Sequence, residues 1–492
     1  MKRNIRDEIV KKRQTRVAAL GYSEGVVLPA RRETPLVPFM GGNGLICEVK
    51  RRSPSRGDIA PDLDAVAQAG IYVAAGAGNL SVLTEPEGFA GCLTDLVRVK
   101  KAFPGTAVLR KDFLFAVEDI RISFLAGADA VLLIAGMLSV ERLRALYNAA
   151  KEYGMAALVE IHDQDDIRKV AAFKPELVGI NCRDLTSFAI DPLLPVRVGS
   201  GVDWEAKLVY ESGISHEDQA AFATGAGFDG ILVGEGVVRE SSLAARLLVA
   251  MRGAKRSRFW PEIGKRLQQN RENHEKRGRP LVKICGLARE DDARKAVACG
   301  ADVLGFVFWP HSPRVASPEL ARALRDLPLP KVGVVVNPDN ARRLQPEVLA
   351  LLEEGVLDAV QLHGDESPAA SAALWPVQYK ALRPAGPDAV SGASLYRCPR
   401  VLLDAWADVP GGAGKQVDAA VLKAWQRPLW LAGGITPGNV REIAGTHMPE
   451  MIDVASGVEE SPGIKSLEKM KHLFAELDLL ERNDGYCNGN EC

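Results

Sequence analysis

Val209-Tyr210-Glu211-Ser212-Gly213-Ile214 is followed by Gly230-Ile231-Leu232-Val233-Gly234, and the pattern returns in Trp430-Leu431-Ala432-Gly433-Gly434-Ile435 followed by Ile452-Asp453-Val454-Ala455-Ser456-Gly457. Each is a β-prone run ending in glycine, then a helix-like spacer, then a second β-prone run ending in glycine. Glycine at a strand end lets an anion approach backbone N–H groups, and a helix start beyond it adds a favourable dipole. The same glycines also serve tight βα turns, so they mark two βα units and two candidate anion sites at once. The spacers carry start signals: Ser215 opens a Ser-x-x-Asp box with Asp218, and Thr436 precedes Pro437 at the first helical position.

Outward from these stretches, short β-branched runs alternate with longer helical patterns along the whole chain, the signature of βα units and a parallel sheet. In the first half strands are expected at 45–49, 80–83, 107–109, 130–134, 156–159, 177–180, 207–210 and 230–233. The second half repeats the count at 281–284, 303–307, 332–336, 359–362, 378–381, 401–403, 429–432 and 451–454. Spacers such as 139–153 suit amphipathic helices, with Leu143, Leu146 and Tyr147 on one face. Eight strands twice over predicts an α/β chain of two tandem (β/α)8 TIM barrels, with the repeated motif at the last two strands, where barrels commonly place a phosphate. The strand count by itself also fits an open doubly wound sheet. The 492 residues accommodate two barrels of roughly 200 to 250 residues each.

Domain boundaries follow: a first barrel over 1–254 with an extra helix and loop before its first strand, a linker helix over 255–279, a second barrel over 280–478 and a disordered tail over 479–492. Residues 252–279 carry ten Lys/Arg against three Asp/Glu. Few aliphatics accompany them, which reads as a solvated helix rather than a nucleic-acid patch. A net charge of −1 provides no field toward nucleic acid or membrane. Residues 1–16 lack the apolar core of a signal peptide, and the longest apolar run, 130–138, is too short to span a bilayer. Eight scattered cysteines suggest a reducing cytoplasm and no disulfide framework. Cys487 and Cys492 lack neighbouring ligands, so no metal is assigned.

The informative feature of the first half is charge at the ends of apolar strands: Glu48 and Lys50, then Lys111, Glu160, Asn181 and Glu211. In a closed barrel these tips converge on one mouth. Burying several charges costs several kcal/mol each unless they pair. Interspersed lysines and carboxylates supply both acids and bases, although ion pairs that merely close the barrel top would use the same residues. The ordered segments CEVKRRSPSRG, SVLTEPEGFAG, LRKDF, ALVEIH, GINCRDL, YESGI and ILVGEG resemble the indole-3-glycerol-phosphate synthase family. That family closes an indole ring on 1-(2-carboxyphenylamino)-1-deoxyribulose 5-phosphate with loss of CO₂ and water. The resemblance implies Lys111 as the acid for ring closure, Lys50 as a binder of carboxylate or phosphate, and Glu48 and Glu160 as acid and base of the dehydration in either order. It further implies Asn181, Arg183 and Glu211 around the anthranilate part, and Ser53, Ser212, Gly213 and Gly234 around the phosphate.

In the second half Cys285 stands at the end of the strand in LVKICGL, and Asp404 ends RVLLD. A strand cysteine is commonly packing, but a thiolate base and a carboxylic acid facing one another could move a proton between adjacent carbons. KICGL, GFVFWPHSPR, QLHGDE, LLDAW, GGAGKQVD, LAGGI and IDVASGVEESPG, in that order, resemble the phosphoribosylanthranilate isomerase family. That family performs an Amadori rearrangement, opening the ribose ring under acid catalysis and then removing the C2′ proton. The resemblance implies Cys285 as base, Asp404 as acid and Arg314 on the anthranilate carboxylate, where a planar guanidinium binds bidentately. It implies Gly412, Gly414, Gly434, Ser456 and Gly457 around the phosphate, with Asp453 in support. His363 is equally a packing residue or a participant.

The two implied reactions are consecutive steps of tryptophan biosynthesis, the second barrel making the substrate of the first. Proton transfer, an iminium-type intermediate and water loss lie within reach of side chains, so no metal and no organic cofactor is expected. The expected partners are small phosphorylated substrates, with no nucleic acid and no membrane, on a monomeric cytoplasmic chain. A half that binds without catalysing, and a second barrel acting on another ribulosyl substrate, are the rival readings.

Overall fold

β1 (Leu45–Val49), β2 (Asn79–Leu83), β3 (Ala107–Lys111), β4 (Ala130–Ile134), β5 (Ala156–Ile161), β6 (Leu177–Asn181), β7 (Lys207–Glu211) and β8 (Gly230–Val233) close into one parallel barrel. β9 (Leu281–Ile284), β10 (Val303–Val307), β11 (Lys331–Val335), β12 (Ala359–Leu362), β13 (Gln378–Leu382), β14 (Val401–Leu403), β15 (Trp430–Ala432) and β16 (Met451–Val454) close into a second. In each, every strand pairs with its sequence neighbours and the last with the first, which excludes the open sheet. The computed structural model describes residues 5–54, 56–183, 189–272, 279–337, 343–374, 377–405 and 415–480. The chain divides into two units, Met1–Arg256 and Ser257–Cys492. The expected disordered tail falls mostly on 481–492, with Cys487 and Cys492, outside the described residues.

Strand alternation explains how the first barrel presents charge. Ile46, Leu109, Leu132, Leu158, Val209 and Leu232 form one apolar cluster, with Phe39 and Met40 packed into it. Two residues further along the same strands stand Glu48, Lys111, Glu160, Glu211 and, past β8, Gly234. A period of two carries each strand from an inward apolar residue to an inward functional one. The charged layer therefore rests directly on the apolar layer.

The second barrel is built differently at the corresponding depth. Val282, Ile284, Leu304, Phe306, Val360, Leu362, Leu403, Ile452 and Val454 pack in the cluster shared with the helices. Their alternates Lys283, Gln361 and Asp453 meet one another and Tyr379 of β13 instead, and Lys283 donates to Asp453 Oδ2 at 2.6 Å. The interior of this barrel has a polar storey below its mouth.

Three sequence expectations are corrected. The basic stretch read as a solvated linker helix is helical over Phe259–Glu272, but its Phe259, Trp260, Ile263 and Leu267 are buried. Phe259 stacks on Tyr379 at 5.9 Å and Trp260 lies 5.9 Å from Trp430, so the helix is part of the second unit's core. The apolar positions fall at helical spacing, which a count of charges conceals. Ser215 does not cap the helix after β7: that helix is Glu217–Gly225, with His216 at its N-cap and Gln219 Oε1 accepting from the backbone N–H of Ser215 and His216. Thr436-Pro437 forms a turn instead, and the helix after β15 starts at Val440 behind Asn439, whose Oδ1 accepts from Thr436 N at 2.8 Å. In both cases a longer side chain three or four residues on satisfies the loop N–H groups.

Candidate active sites

In the first unit a cavity of about 340 Å³ is lined by Glu48, Lys50, Ser53, Lys111, Glu160, Asn181, Arg183, Glu211, Ser212, Gly213 and Gly234, every residue singled out from the sequence for this half. Lys111 is the hub. Its Nζ lies 2.9 Å from Glu211 Oε2, 3.7 Å from Glu160 Oε2 and 4.0 Å from Glu48 Oε2. Lys50 pairs with Glu48. Asn181 Oδ1 accepts from Arg183 N at 3.0 Å.

Three buried carboxylates thus face two ammonium groups, with the His162 ring beside Glu160. Environment divides the carboxyls. Burial pushes Glu211 up to about 7, with Glu160 adding to the rise and Lys111 opposing it. Glu160 is buried too, but the hydrogen bond from His162 and the charge of Lys111 outweigh that and hold it well below the usual carboxylate range. Burial pulls Lys111 down, and the carboxylates of Glu211, Glu160 and Glu48 more than offset this, so its ammonium is held more firmly than an ordinary lysine's. Carboxyls pushed apart in this way are suited to acid and base roles.

Space is reserved for this cluster. A Cβ on Gly179 of β6 would stand 2.0 Å from Glu211 Oε1. After β7, Ser212 and Gly213 are both left-handed, at φ 71° and 75°. Successive N–H groups in such a turn form a concavity for an anion.

Sequence reasoning missed several residues in or beside the cavity. His162 Nε2 sits 3.1 Å from Glu160 Oε1, and the quoted segment ALVEIH already contained it. Arg56 and Arg239 border the cavity near Gly234, and Ile9 reaches it from the helix Ile5–Leu20. That helix is held by Arg13, which donates to Asp119 Oδ1 at 2.6 Å and to the Phe113 carbonyl at 3.0 Å. A single cation in a polar helix gives no sequence signal of such a docking.

The second unit holds a cavity of about 120 Å³ lined by Cys285, Arg314, His363, Asp404, Gly434, Asp453 and Ser456 among others. Burial pushes the Cys285 thiol up to about 11; Asp453 adds to the rise, while Lys283 and Lys465 pull against it. Asp404 Oδ1 accepts from Ala405 N at 2.8 Å, and His363 Nε2 lies 3.1 Å from Asp404 Oδ2. Past β15, Gly433 and Gly434 repeat the left-handed pair of the first barrel, at φ 92° and 61°. Arg314 is engaged within the protein: its Nε and Nη2 donate to Glu459 at 2.9 and 2.8 Å, and Lys465 donates to the same carboxylate at 2.8 Å. Gly457 stands behind the cavity, where a Cβ would meet the Ile435 carbonyl at 1.9 Å. Gly412 and Gly414 lie outside the described residues. The residues missed here are Lys283 and Gln361, each two positions before a residue that was found, and Glu459 and Lys465 on the hairpin after β16. Strand alternation would have exposed the first two.

Among the described residues no group of His, Cys, Asp and Glu side chains is arranged to hold a metal ion, and no helix is long and apolar enough to cross a membrane.

A family model described as indole-3-glycerol phosphate synthase matches residues 8–248, and one described as N-(5'phosphoribosyl)anthranilate (PRA) isomerase matches residues 282–476. The chain is 31% identical over 467 residues to a multifunctional tryptophan biosynthesis protein of Schizosaccharomyces pombe, covering 87% of the chain and 58% of that relative. It is 30% identical over 476 residues to a tryptophan biosynthesis protein of Phytophthora nicotianae, covering 81% of the chain and 85% of the relative. It is 36% identical over 242 residues to an indole-3-glycerol phosphate synthase of Bacillus cereus, covering 49% of the chain and 95% of that relative. The chain therefore spans less than two thirds of the first relative's length and most of the other two.

Proposed function

We propose, on the premise that the chain belongs to the indole-3-glycerol phosphate synthase family through its first unit and to the N-(5'-phosphoribosyl)anthranilate isomerase family through its second, that it carries out both reactions in succession. The isomerase barrel, assigned to residues 280–478, converts N-(5-phosphoribosyl)anthranilate to 1-(2-carboxyphenylamino)-1-deoxyribulose 5-phosphate. The synthase barrel, assigned to residues 1–254, closes that product to indole-3-glycerol phosphate with release of CO₂ and water.

One observation supports this most strongly: in each unit, donors and acceptors from separate strands meet in one cavity beside a left-handed turn that follows the seventh strand. In the synthase, Lys111 protonates the ketone oxygen as the aromatic carbon attacks, Lys50 holds the carboxylate until it leaves, Glu48 and Glu160 serve the dehydration as acid and base in either order, and Glu211 holds Lys111 beside the anthranilate part. Ser53, Ser212, Gly213 and Gly234 receive the phosphate. In the isomerase, Asp404 protonates the ribose ring oxygen as the C–O bond opens, and Cys285 removes the C2′ proton once its thiol has ionised. Arg314 takes the anthranilate carboxylate on exchanging it for Glu459, and Gly434 and Ser456 face the phosphate. Small phosphorylated molecules suffice as partners, with the chain acting as a cytoplasmic monomer.

The test is a pair of variants in the full chain. Lys111→Ala should abolish indole formation and leave phosphoribosylanthranilate turnover intact, and Asp404→Asn should do the reverse. Loss of both activities from either variant, in a protein that remains folded, would count against two separate sites.

A further inference from the structure

The polar storey inside the second barrel is not a requirement of barrel construction, since the first barrel fills the comparable layer with Leu109, Leu132, Leu158, Val209 and Leu232. A buried ion pair such as Lys283–Asp453 adds little stability over apolar residues of the same volume. Its contacts have a direction. Lys283 is a donor at every proton it carries and has no acceptor. It donates to Gln361 Oε1, and Tyr379 donates to the same oxygen at 2.8 Å. Turning the Gln361 amide over would set its NH₂ against the Lys283 ammonium, so its orientation is dictated. Gln361 Nε2 consequently faces His363 Nδ1, at 2.8 Å, as the donor. Nδ1 must accept, which leaves the ring hydrogen on Nε2.

His363 Nε2 is buried, forms no hydrogen bond among the described residues, and lies 3.1 Å from Asp404 Oδ2 on the cavity wall. We propose, resting on the isomerase assignment above, that His363 is held as an Nε2–H donor toward Asp404 by an oriented relay running Lys283 to Gln361 to His363, with Lys283 and Gln361 as positioning residues for the reaction's acid. A nitrogen that already carries hydrogen cannot take the Asp404 proton, so that proton has one outlet, the substrate's ring oxygen. Once the proton is delivered, the same N–H can donate to the carboxylate left behind. Room for the relay is provided by Gly305, where a Cβ would stand 2.7 Å from Lys283 Cε and 2.8 Å from Cys285 Sγ.

The test uses the full chain with ¹⁵N-labelled histidine at pH 8, in long-range ¹H–¹⁵N correlation spectra. The chain has seven histidines, and the signal missing from H363Q identifies His363. The expected spectrum has hydrogen on Nε2 and none on Nδ1. Q361E, which offers only acceptors, should move hydrogen to Nδ1 and lower isomerase kcat about tenfold or more, with KM changed less than about twofold. H363Q keeps an amide donor near the Nε2 position, and in that background Q361E should have no further effect on kcat. A wild-type His363 with hydrogen on Nδ1 would overturn the relay, and that spectrum decides its direction whether or not any variant folds. Q361E costing as much in the H363Q background as in the wild type would also overturn it. A wild-type protein that shows the expected tautomer yet fails to turn over phosphoribosylanthranilate would sink the isomerase assignment and leave the relay's direction standing.

Discussion

Replacing Gly179 by alanine should cripple the synthase while adding a single methyl group at a residue outside the cavity lining. The new Cβ would stand 2.0 Å from Glu211 Oε1 and 3.1 Å from Glu211 Cδ. The β6 backbone has little freedom to retreat, because Gly179 pairs with Glu160 on one side and with Val209 on the other. Glu211 must therefore swing away and surrender its 2.9 Å contact with Lys111. A hydrogen bond between charged groups contributes about 1.5–3 kcal/mol. If that contact serves the transition state, its loss lowers kcat/KM about 10- to 150-fold. The assay is indole-3-glycerol phosphate formation from the ribulosyl substrate, followed by absorbance, with phosphoribosylanthranilate turnover measured on the same preparation. Synthase kcat/KM within about twofold of wild type would refute the role given to the Lys111–Glu211 pair. Equal loss of both activities would point to unfolding instead.

Other consequences are as direct. Trp260→Ala should destabilise the second unit by about 3–5 kcal/mol in urea unfolding, as for a buried aromatic; a change under about 0.5 kcal/mol would restore the solvated-linker reading. With its thiol pushed up to about 11, Cys285 should alkylate slowly with iodoacetamide at pH 7, its rate climbing about tenfold per pH unit. A plateau of that rate by pH 9, in mass-spectrometric peptide mapping, would contradict such burial. Burial raises Asp112, but Arg13 and Arg110 more than offset it, so its carboxyl is held below its usual value and supports the fold above about pH 4, an effect lost as pH falls through the lowered value. Asp112→Asn should thus cost about 3–5 kcal/mol at pH 7 and progressively less below pH 4, read from chemical denaturation across pH; a cost independent of pH would contradict the ion-pair origin.

Strand ends were the legible part of the fold and of both sites. Glu48, Lys111, Glu160 and Glu211 stand out because charge terminating an apolar run has few reasons to be there, and closure of the barrel brings them within 4.0 Å of one ammonium. What stayed hidden depended on side-chain contacts across the barrel. Lys283 and Gln361 sit inside β-prone runs, where a polar residue looks like an outward position until the alternation is counted from Cys285 and His363. The burial of the helix Phe259–Glu272 was concealed by its own charge, although Phe259, Trp260, Ile263 and Leu267 share one face. Arg13 could not be read at all, because its partners Asp112 and Asp119 lie about a hundred residues away. The capping of the helices after β7 and β15 was misplaced by one or more residues because Gln219 and Asn439 reach back where short hydroxyl side chains had been favoured.

Complementation between two crippled chains tests the two-site account most directly. Lys111→Ala and Asp404→Asn proteins, each unable alone to convert phosphoribosylanthranilate to indole-3-glycerol phosphate, are combined in equal amounts and the indole product is followed. Recovery of the full conversion, with the ribulosyl phosphate passing through solution from one chain's intact barrel to the other's, is the predicted result. A mixture as inactive as either variant, with both proteins folded, would contradict it.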